Sequence, residues 1–233
     1  MQILLDFGLA LLGYLVGSIP FGLIIVKLRT GKDIRQVESG RTGGTNAMRA
    51  AGFFAGLMTA IMDILKGAAA VWLARALGGS EFGQVMAPLG AILGHNYSIF
   101  LAERDAQGRL RLRGGAGGAP CLGGSLGLWP PAAGIILLVG VAVFFGTGYA
   151  SLTTISVGLV SLIIFGVMAA MEQAPSVYVI YGLVGLLLLL WALRPNIQRL
   201  LKGQERVVSI SLHGRLRARQ EQRAAADAFK DVE

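Results

Sequence analysis

The sequence predicts an all-α polytopic membrane protein of about seven transmembrane helices, with its N-terminus outside and its C-terminus cytoplasmic. Three observations lead there. Hydrophobic residues make up 54% of the 233-residue chain and charged residues 15%, so the apolar runs exceed what a soluble domain of this length can bury. Several of those runs reach the roughly 20 residues that a bilayer-spanning helix needs. Most of the Lys and Arg behind the formal net charge of +8 fall in three clusters, a pattern of cytoplasmic loops and anionic partners. A nucleic-acid partner is not expected, because no basic groove is interleaved with aromatics. The single Cys121 excludes an internal disulfide and is too little for a metal cluster, so it reads as a small core residue.

Ile3 to Val26 is an apolar run with no basic leader and no small-residue cleavage site, which makes it a retained helix. Gly17-Ser-Ile-Pro20-Phe-Gly22 is expected to kink it or to admit another backbone. Lys27, Arg29, Lys32, Arg35, Arg41 and Arg49 then outnumber Asp33 and Glu38, so the loop belongs to the cytoplasmic side. Within it, Ser39-Gly-Arg-Thr-Gly-Gly-Thr-Asn46 followed by Arg49 has the make-up of a phosphate cradle. Glycines let several backbone N–H groups turn toward one anion, and Arg41 and Arg49 add guanidinium donors. A solvated basic loop that merely obeys topology rules is the competing reading.

The second helix runs from Phe53 to Leu77 and carries Asp63 and Lys66 three apart on one face. An acid and a base inside a membrane are functional suspects, with a structural ion pair as the alternative. The turn Gly78-Gly-Ser-Glu-Phe-Gly83 suits the outer side. A third apolar run, about Gln84 to Leu101, contains Gly94-His-Asn-Tyr-Ser98. His95 fits either an interfacial hydrogen-bonding role or catalysis, since its ordinary pKa of about 6.5 serves both. Glu103 to Arg113 reads as a second cytoplasmic loop. It leads into Arg113-Gly-Gly-Ala-Gly-Gly-Ala-Pro120, another candidate anion nest.

Parity then constrains the remainder, because an even number of passages must separate the Arg109–Arg113 loop from the arginine-rich tail that begins at Arg194. The obvious runs, Cys121 to Thr147, Leu152 to Met171 and Val177 to Leu193, number three. Trp129-Pro-Pro131 breaks the first of them, giving a short helix from about Ala116 to Leu128 and another from about Ala132 to Thr147. The total becomes seven. In that topology the segments Ser39–Arg49, Arg113–Ala119, Gly148-Tyr-Ala-Ser151 and Arg194-Pro-Asn196 converge on the cytoplasmic face, where a site can take soluble anionic substrates beside lipid.

Several motifs in one order carry a family resemblance. They are Gly17-Ser-Ile-Pro-Phe-Gly22; Ser39-Gly40 with Gly43, Thr45-Asn46 and Arg49; Asp63-Ile-Leu-Lys-Gly67; Gly94-His95 with Phe100-Leu101; Arg113-Gly-Gly115; Tyr149-Ala-Ser-Leu152; and Arg194 with Asn196-Ile-Gln-Arg-Leu-Leu-Lys-Gly203. Over roughly residues 3 to 206 the chain resembles the bacterial acyl-phosphate:glycerol-3-phosphate acyltransferases of the PlsY type. The resemblance implies an inner-membrane enzyme with its active site on the cytoplasmic face. It moves an acyl chain from acyl phosphate to the 1-hydroxyl of glycerol 3-phosphate, giving lysophosphatidic acid, without acyl-CoA or acyl carrier protein as direct donor. It also implies substrate-phosphate binding by Ser39, Gly40, Thr45, Asn46, Arg49, Arg113, Gly114 and Gly115, with Thr45 and Asn46 shaping the first loop. By the same resemblance His95, Ser151 and Asn196 would complete the catalytic pocket. No metal, no cofactor and no obligate protein partner is expected; membrane lipids are. Because acyl phosphate is already activated, positioning and neutralisation of the leaving phosphate can supply much of the acceleration.

The departures from that family pattern are specific. The family's third motif reads approximately Lys-Gly-Gly-Lys-Gly-Val-Ala-Thr, whereas Arg113, Ala116 and Pro120 stand at its two lysines and its final hydroxyl. Arg113 binds phosphate through a planar fork that does not replace a compact ammonium at a close-fitting site. Arg41 replaces an asparagine, Leu193 a histidine, and Glu103 to Leu112 is an insertion. Two other readings therefore remain open, a family member of lost or altered activity that binds lipid or phosphate, and a small-solute transporter built on Asp63 and Lys66. Residues 1–206 form the expected transmembrane domain. Residues 207–233 form a basic tail, with Arg215, Arg217, Arg219 and Arg223, either disordered or lying as a helix on anionic lipid.

Overall fold

The computed structural model describes residues 1–230; residues 231–233 and the side chain of Arg223, both in the basic tail, lie outside the described residues. The helices are α1 (Gln2–Ser18), α2 (Phe21–Thr30), α3 (Gly44–Ala51), α4 (Phe53–Ala76), α5 (Glu81–Asn96), α6 (Gly118–Leu128), α7 (Pro130–Thr147), α8 (Ala150–Ala170), α9 (Val177–Leu201) and α10 (Leu212–Lys230). Between α5 and α6 lies a hairpin of β1 (Ser98–Arg104) and β2 (Leu110–Arg113). Among the described residues, five helical stretches are long and apolar enough to cross a membrane: Gln2–Thr30, Phe53–Ala76, Pro130–Thr147, Ala150–Ala170 and Val177–Leu201. At 16 and 11 residues, α5 and α6 are shorter.

Three sequence expectations are corrected. The chain is not all-α: the segment Glu103 to Leu112, expected as a loop, is most of an antiparallel hairpin that pairs Glu103 with Arg111 and Arg104 with Leu110. Its turn is made by Asp105, whose carboxylate accepts from the N–H groups of Gln107 (3.0 Å) and Arg109 (2.9 Å), and by Gly108 at φ 74°. The third apolar run does not continue to Leu101 as helix; α5 stops at Asn96 and Ile99, Phe100 and Leu101 belong to β1. Short apolar runs do not distinguish a helix end from a strand.

The third correction concerns the last helix, which does not end near Leu193 but passes through Pro195 to Leu201. Proline lacks the N–H that would close the turn onto Trp191. Arg194 Nε supplies a donor to that carbonyl at 3.2 Å, and its guanidinium lies 3.3 Å from the centre of the Trp191 ring. The next carbonyl, Ala192, accepts from Arg41 Nη2 at 2.6 Å.

Packing explains why the glycines recur. Gly13 and Gly17, four apart on α1, lie against the backbone of Ala87 and Ala91 on α5, so closely that an added Cβ would strike a carbonyl. Small residues at this spacing let membrane helices approach where the hydrophobic effect gives no drive. At the start of α5, Asp6 accepts from the Ser80 hydroxyl (2.6 Å) and N–H (3.1 Å), tying α1 to that end. The main core joins α5, α6, α8 and α9 around Ile92, Cys121, Phe165, Tyr181 and Leu189. Within it the Tyr181 hydroxyl donates to the Cys121 carbonyl at 2.5 Å. The N-terminal run breaks at Ile19-Pro20 into α1 and α2.

Candidate active site

A cavity of about 510 Å³ opens where α3, α4, α6, α7, α8 and α9 meet. Part of its lining is apolar, with Phe53, Leu57, Leu137, Val141, Phe144 and Phe145. Another part is cationic, with Arg41, Arg49, Arg199 and Arg206. Four helices also begin on its lining: α3 at Gly44, α4 at Phe53, α6 at Gly118 and α8 at Ala150. The first N–H groups of a helix have no partner within it, and its dipole is positive there, so each start favours an anion.

The first loop is held in shape from inside. Asn46 is 3% exposed, and its Nδ2 donates to the carbonyls of Ile34 (3.2 Å), Val37 (3.0 Å) and Arg41 (2.8 Å). That draws the loop into a cup presenting Ser39, Gly43 and Thr45. Arg41 reaches across the cup, donating to the carbonyls of Gly115 (3.1 Å) and Ala192 and to Asn196 Oδ1 (3.1 Å). Burial and then the neighbouring Arg199 push Arg41 below the usual arginine range. Burial does the same to Arg49, with Glu38 opposing it. Both remain cationic at neutral pH.

Behind the cup lies a buried chain of three ionisable groups. Lys66 Nζ is 2.9 Å from Asp63 Oδ1 and also donates to the Ile19 carbonyl at 3.1 Å. His95 Nδ1 lies 3.5 Å from the same Asp63 oxygen, and Asp63 and His95 both line the cavity. Gly115 makes room for the imidazole, since a Cβ there would overlap His95 Nε2. The two suspects of α4 and the histidine of α5 therefore form one unit. Proximity in space, with Asp63 and His95 standing 32 positions apart in the sequence, hid that unit from any motif.

Of the sequence-identified residues, Ser39, Thr45, Asn46, Arg49, His95, Ser151 and Asn196 line this cavity. Ser151 Oγ is buried without a protein hydrogen bond. Gly40, Arg113, Gly114 and Gly115 stand beside it without lining it. Arg113 Nε pairs with Glu103 Oε1, and Arg35 Nη1 lies 3.7 Å from the other Glu103 oxygen, so the hairpin holds this guanidinium. Gly114 and Gly115 stitch the two glycine-rich turns together: the Gly114 carbonyl accepts from Thr42 N–H at 3.3 Å, and Gly115 N–H donates to the His95 carbonyl at 2.8 Å. Glu205 and Arg206 line the cavity without having been singled out from sequence, and so does Arg199, which the sequence offered only as part of the last motif and not as a site residue. Arg199 lies three residues after Asn196 and so on the same face of α9, a signal lost among the tail's other arginines.

A profile of the glycerol-3-phosphate acyltransferase family matches residues 7–203. The chain is 38% identical over 203 residues to the glycerol-3-phosphate acyltransferase of Rubrobacter xylanophilus, covering 87% of this chain and 95% of that one. It is 37% identical over 213 residues to glycerol-3-phosphate acyltransferase 3 of Dehalococcoides mccartyi strain CBDB1, covering 84% and 92%. Among solved structures, the glycerol 3-phosphate form of PlsY, an integral membrane glycerol 3-phosphate acyltransferase, is similar at a TM-score of 0.74 and 32% identity, over 87% of this chain and 94% of that one. The lysophosphatidic acid form gives 0.71 and 29%, over 88% and 96%. The chain belongs to the glycerol-3-phosphate acyltransferase family.

Proposed function

We propose that this membrane glycerol-3-phosphate acyltransferase takes its acyl group from acyl phosphate and delivers it to the 1-hydroxyl of glycerol 3-phosphate, making lysophosphatidic acid. One observation carries the reading: a single cavity is lined both by aromatic and aliphatic side chains and by four arginines with four helix starts. An acyl chain ending in phosphate matches the first and second together, and a small phosphorylated alcohol matches the second.

The hydroxyl oxygen attacks the acyl carbonyl carbon, the bond from that carbon to the phosphate oxygen breaks, and the hydroxyl proton ends on the released inorganic phosphate. No enzyme nucleophile is needed, so the residues position and stabilise. Ser39, Thr45 and Arg49 bind phosphate in the first cup, Asn46 keeps that cup in shape, and Ser151 and Asn196 complete the pocket. His95 contacts the reacting hydroxyl, with Asp63 as its positioning residue. Gly40, Arg113, Gly114 and Gly115 complete the phosphate site from the hairpin side, with Arg113 free to bind once Glu103 yields.

The altered third motif is compatible with turnover. Pro120 is the third residue of α6, where its missing N–H has no helical partner to lose. Ala116 lies on the lining just before the α6 start, whose N–H groups bind an anion where the family has its second lysine. The transporter reading is not favoured, since Lys66 is committed to Asp63 and to the Ile19 carbonyl. The topology that fits is seven passages, α1 with α2, then α4, α5, α6, α7, α8 and α9. The N-terminus is then outside, the cavity opens to the cytoplasm at the inner membrane, and α10 lies on the cytoplasmic lipid surface.

The test uses purified protein, radiolabelled glycerol 3-phosphate and palmitoyl phosphate. Labelled lysophosphatidic acid from the parent, with kcat/KM lower by about 10- to 100-fold in Arg49→Ala, is the expected result for loss of a charge-assisted phosphate contact. No product from folded protein overturns the donor and the activity. Labelling of single-cysteine variants at positions 49 and 113 from opposite sides of the membrane overturns the shared site.

A further inference from the structure

The chain after α9 folds back over the cavity. Gly203, at φ 67°, reverses its direction, and Glu205, Arg206 and Ile210 then line the cavity from the far side. This strap is held at both edges. Arg206 Nη1 is 3.0 Å from Glu38 Oε2 in the first loop. Val207 forms an isolated antiparallel bridge with Tyr149, and Val208 N–H donates to the Gly148 carbonyl at 2.8 Å. Gly148, at φ 75°, lets it dock, because a Cβ there would strike Ser211 and Val207.

Glu205 is the buried charge of the strap, 7% exposed. Its Oε1 accepts from Asn196 Nδ2 at 2.7 Å, and its Oε2 from Arg199 Nε at 3.3 Å. A carboxylate thus occupies donors in the lining of a cavity whose substrates carry phosphate. Two anions cannot share those donors in a partly desolvated site without strong repulsion. The ties that hold the strap are few, and the Arg206–Glu38 pair is about half exposed at both ends, where an ion pair contributes little. The family profile stops at residue 203, so the strap lies outside it.

We propose that Glu205 is a built-in anion that holds Asn196 and Arg199 until substrate phosphate displaces it, and that the Gln204–Ile210 strap lifts to let substrate in. The inference rests on the acyltransferase reading for the identity of the substrate, though not for the presence of an anion site. Substrate affinity is then lowered by the free energy of breaking the Glu205 contacts, as for any ligand that binds a minor state.

Two variants test it. Glu205→Gln keeps an oxygen for the Asn196 N–H and removes the charge. Inorganic phosphate, measured by calorimetry on the purified protein, is expected to bind about three- to tenfold more tightly, and KM for glycerol 3-phosphate to fall by a similar factor while kcat moves less. Phosphate affinity and KM that stay the same or worsen overturn the displaced-anion role, which is the outcome of a purely structural Glu205. Tyr149→Cys combined with Val207→Cys places two thiols on a directly opposed antiparallel pair, a geometry suited to a disulfide, while Cys121 is buried away from it. The oxidised protein is expected to lose turnover at least about tenfold, since substrate affinity scales with the open fraction, and to recover it on reduction. Full turnover while oxidised overturns the lid. Phosphate binding needs no turnover, so that measurement decides the role of Glu205 even if an inactive parent were to overturn the function.

Discussion

Replacing Asp63 by alanine isolates the buried charge unit behind the cup. The side chains of Asp63 and Lys66 are 1% and 3% exposed. Without the carboxylate, Lys66 keeps, among the described residues, the Ile19 carbonyl at 3.1 Å and the Phe21 ring, whose centre is 5.9 Å away. Removing one partner of a buried pair costs about 3–5 kcal/mol, because the other charge is left uncompensated. For a chain of this size each kcal/mol moves Tm by about 2–4 °C, so Asp63→Ala is expected to melt about 6–20 °C below the parent. Thermal unfolding in detergent micelles, read by circular dichroism, measures this. Asp63→Leu combined with Lys66→Met removes both charges, and most of the lost stability is expected to return. Turnover is not expected to return with it, because His95 has then lost the carboxylate 3.5 Å from its Nδ1. A single variant melting within about 2 °C of the parent refutes the buried-pair reasoning. A double variant with parental turnover refutes the positioning role of Asp63.

Arg41→Lys keeps the charge and loses the planar fork that reaches Gly115, Ala192 and Asn196 together; kcat/KM for glycerol 3-phosphate is expected to fall about tenfold or more, with parental values showing that the fork is dispensable. Gly115→Ala puts a methyl group where His95 Nε2 lies. Turnover is expected to drop by about 100-fold, the scale of a displaced acid–base group, with Tm changing little; an active variant would show that the imidazole tolerates movement. His95→Ala is expected to lower kcat by about 100-fold with KM nearly constant, measured by initial rates at saturating acyl phosphate, and a change in KM alone would assign His95 to binding.

The Glu103 contact shows why motif reading stops short of the site. Arg113 was legible as a candidate anion-binding position, because a guanidinium beside two glycines is a local pattern. Its hold by Glu103 depends on a hairpin whose apolar half, Ile99 to Leu101, looks like the end of a helix. The same holds for the strap: Glu205 is ten residues beyond Pro195, and only the continuation of α9 to Leu201 followed by the Gly203 reversal brings it onto Asn196.

The spacing of apolar runs, the clustering of Lys and Arg and the order of the motifs were enough to determine the membrane class, the helix starts near Phe53, Ala132 and Leu152, the family and seven of the polar residues that line the cavity. These are local or strictly ordered properties, carried by hydrophobic length and by side chains that act where they stand. The Asp63–His95–Lys66 unit, the pairing of Arg113 with Glu103 and the contacts of Glu205 with Asn196 and Arg199 were decided only by tertiary structure. Each joins groups from different helices or turns, and a charge's partner is set by distance across the packed interior, which the linear order of residues does not encode.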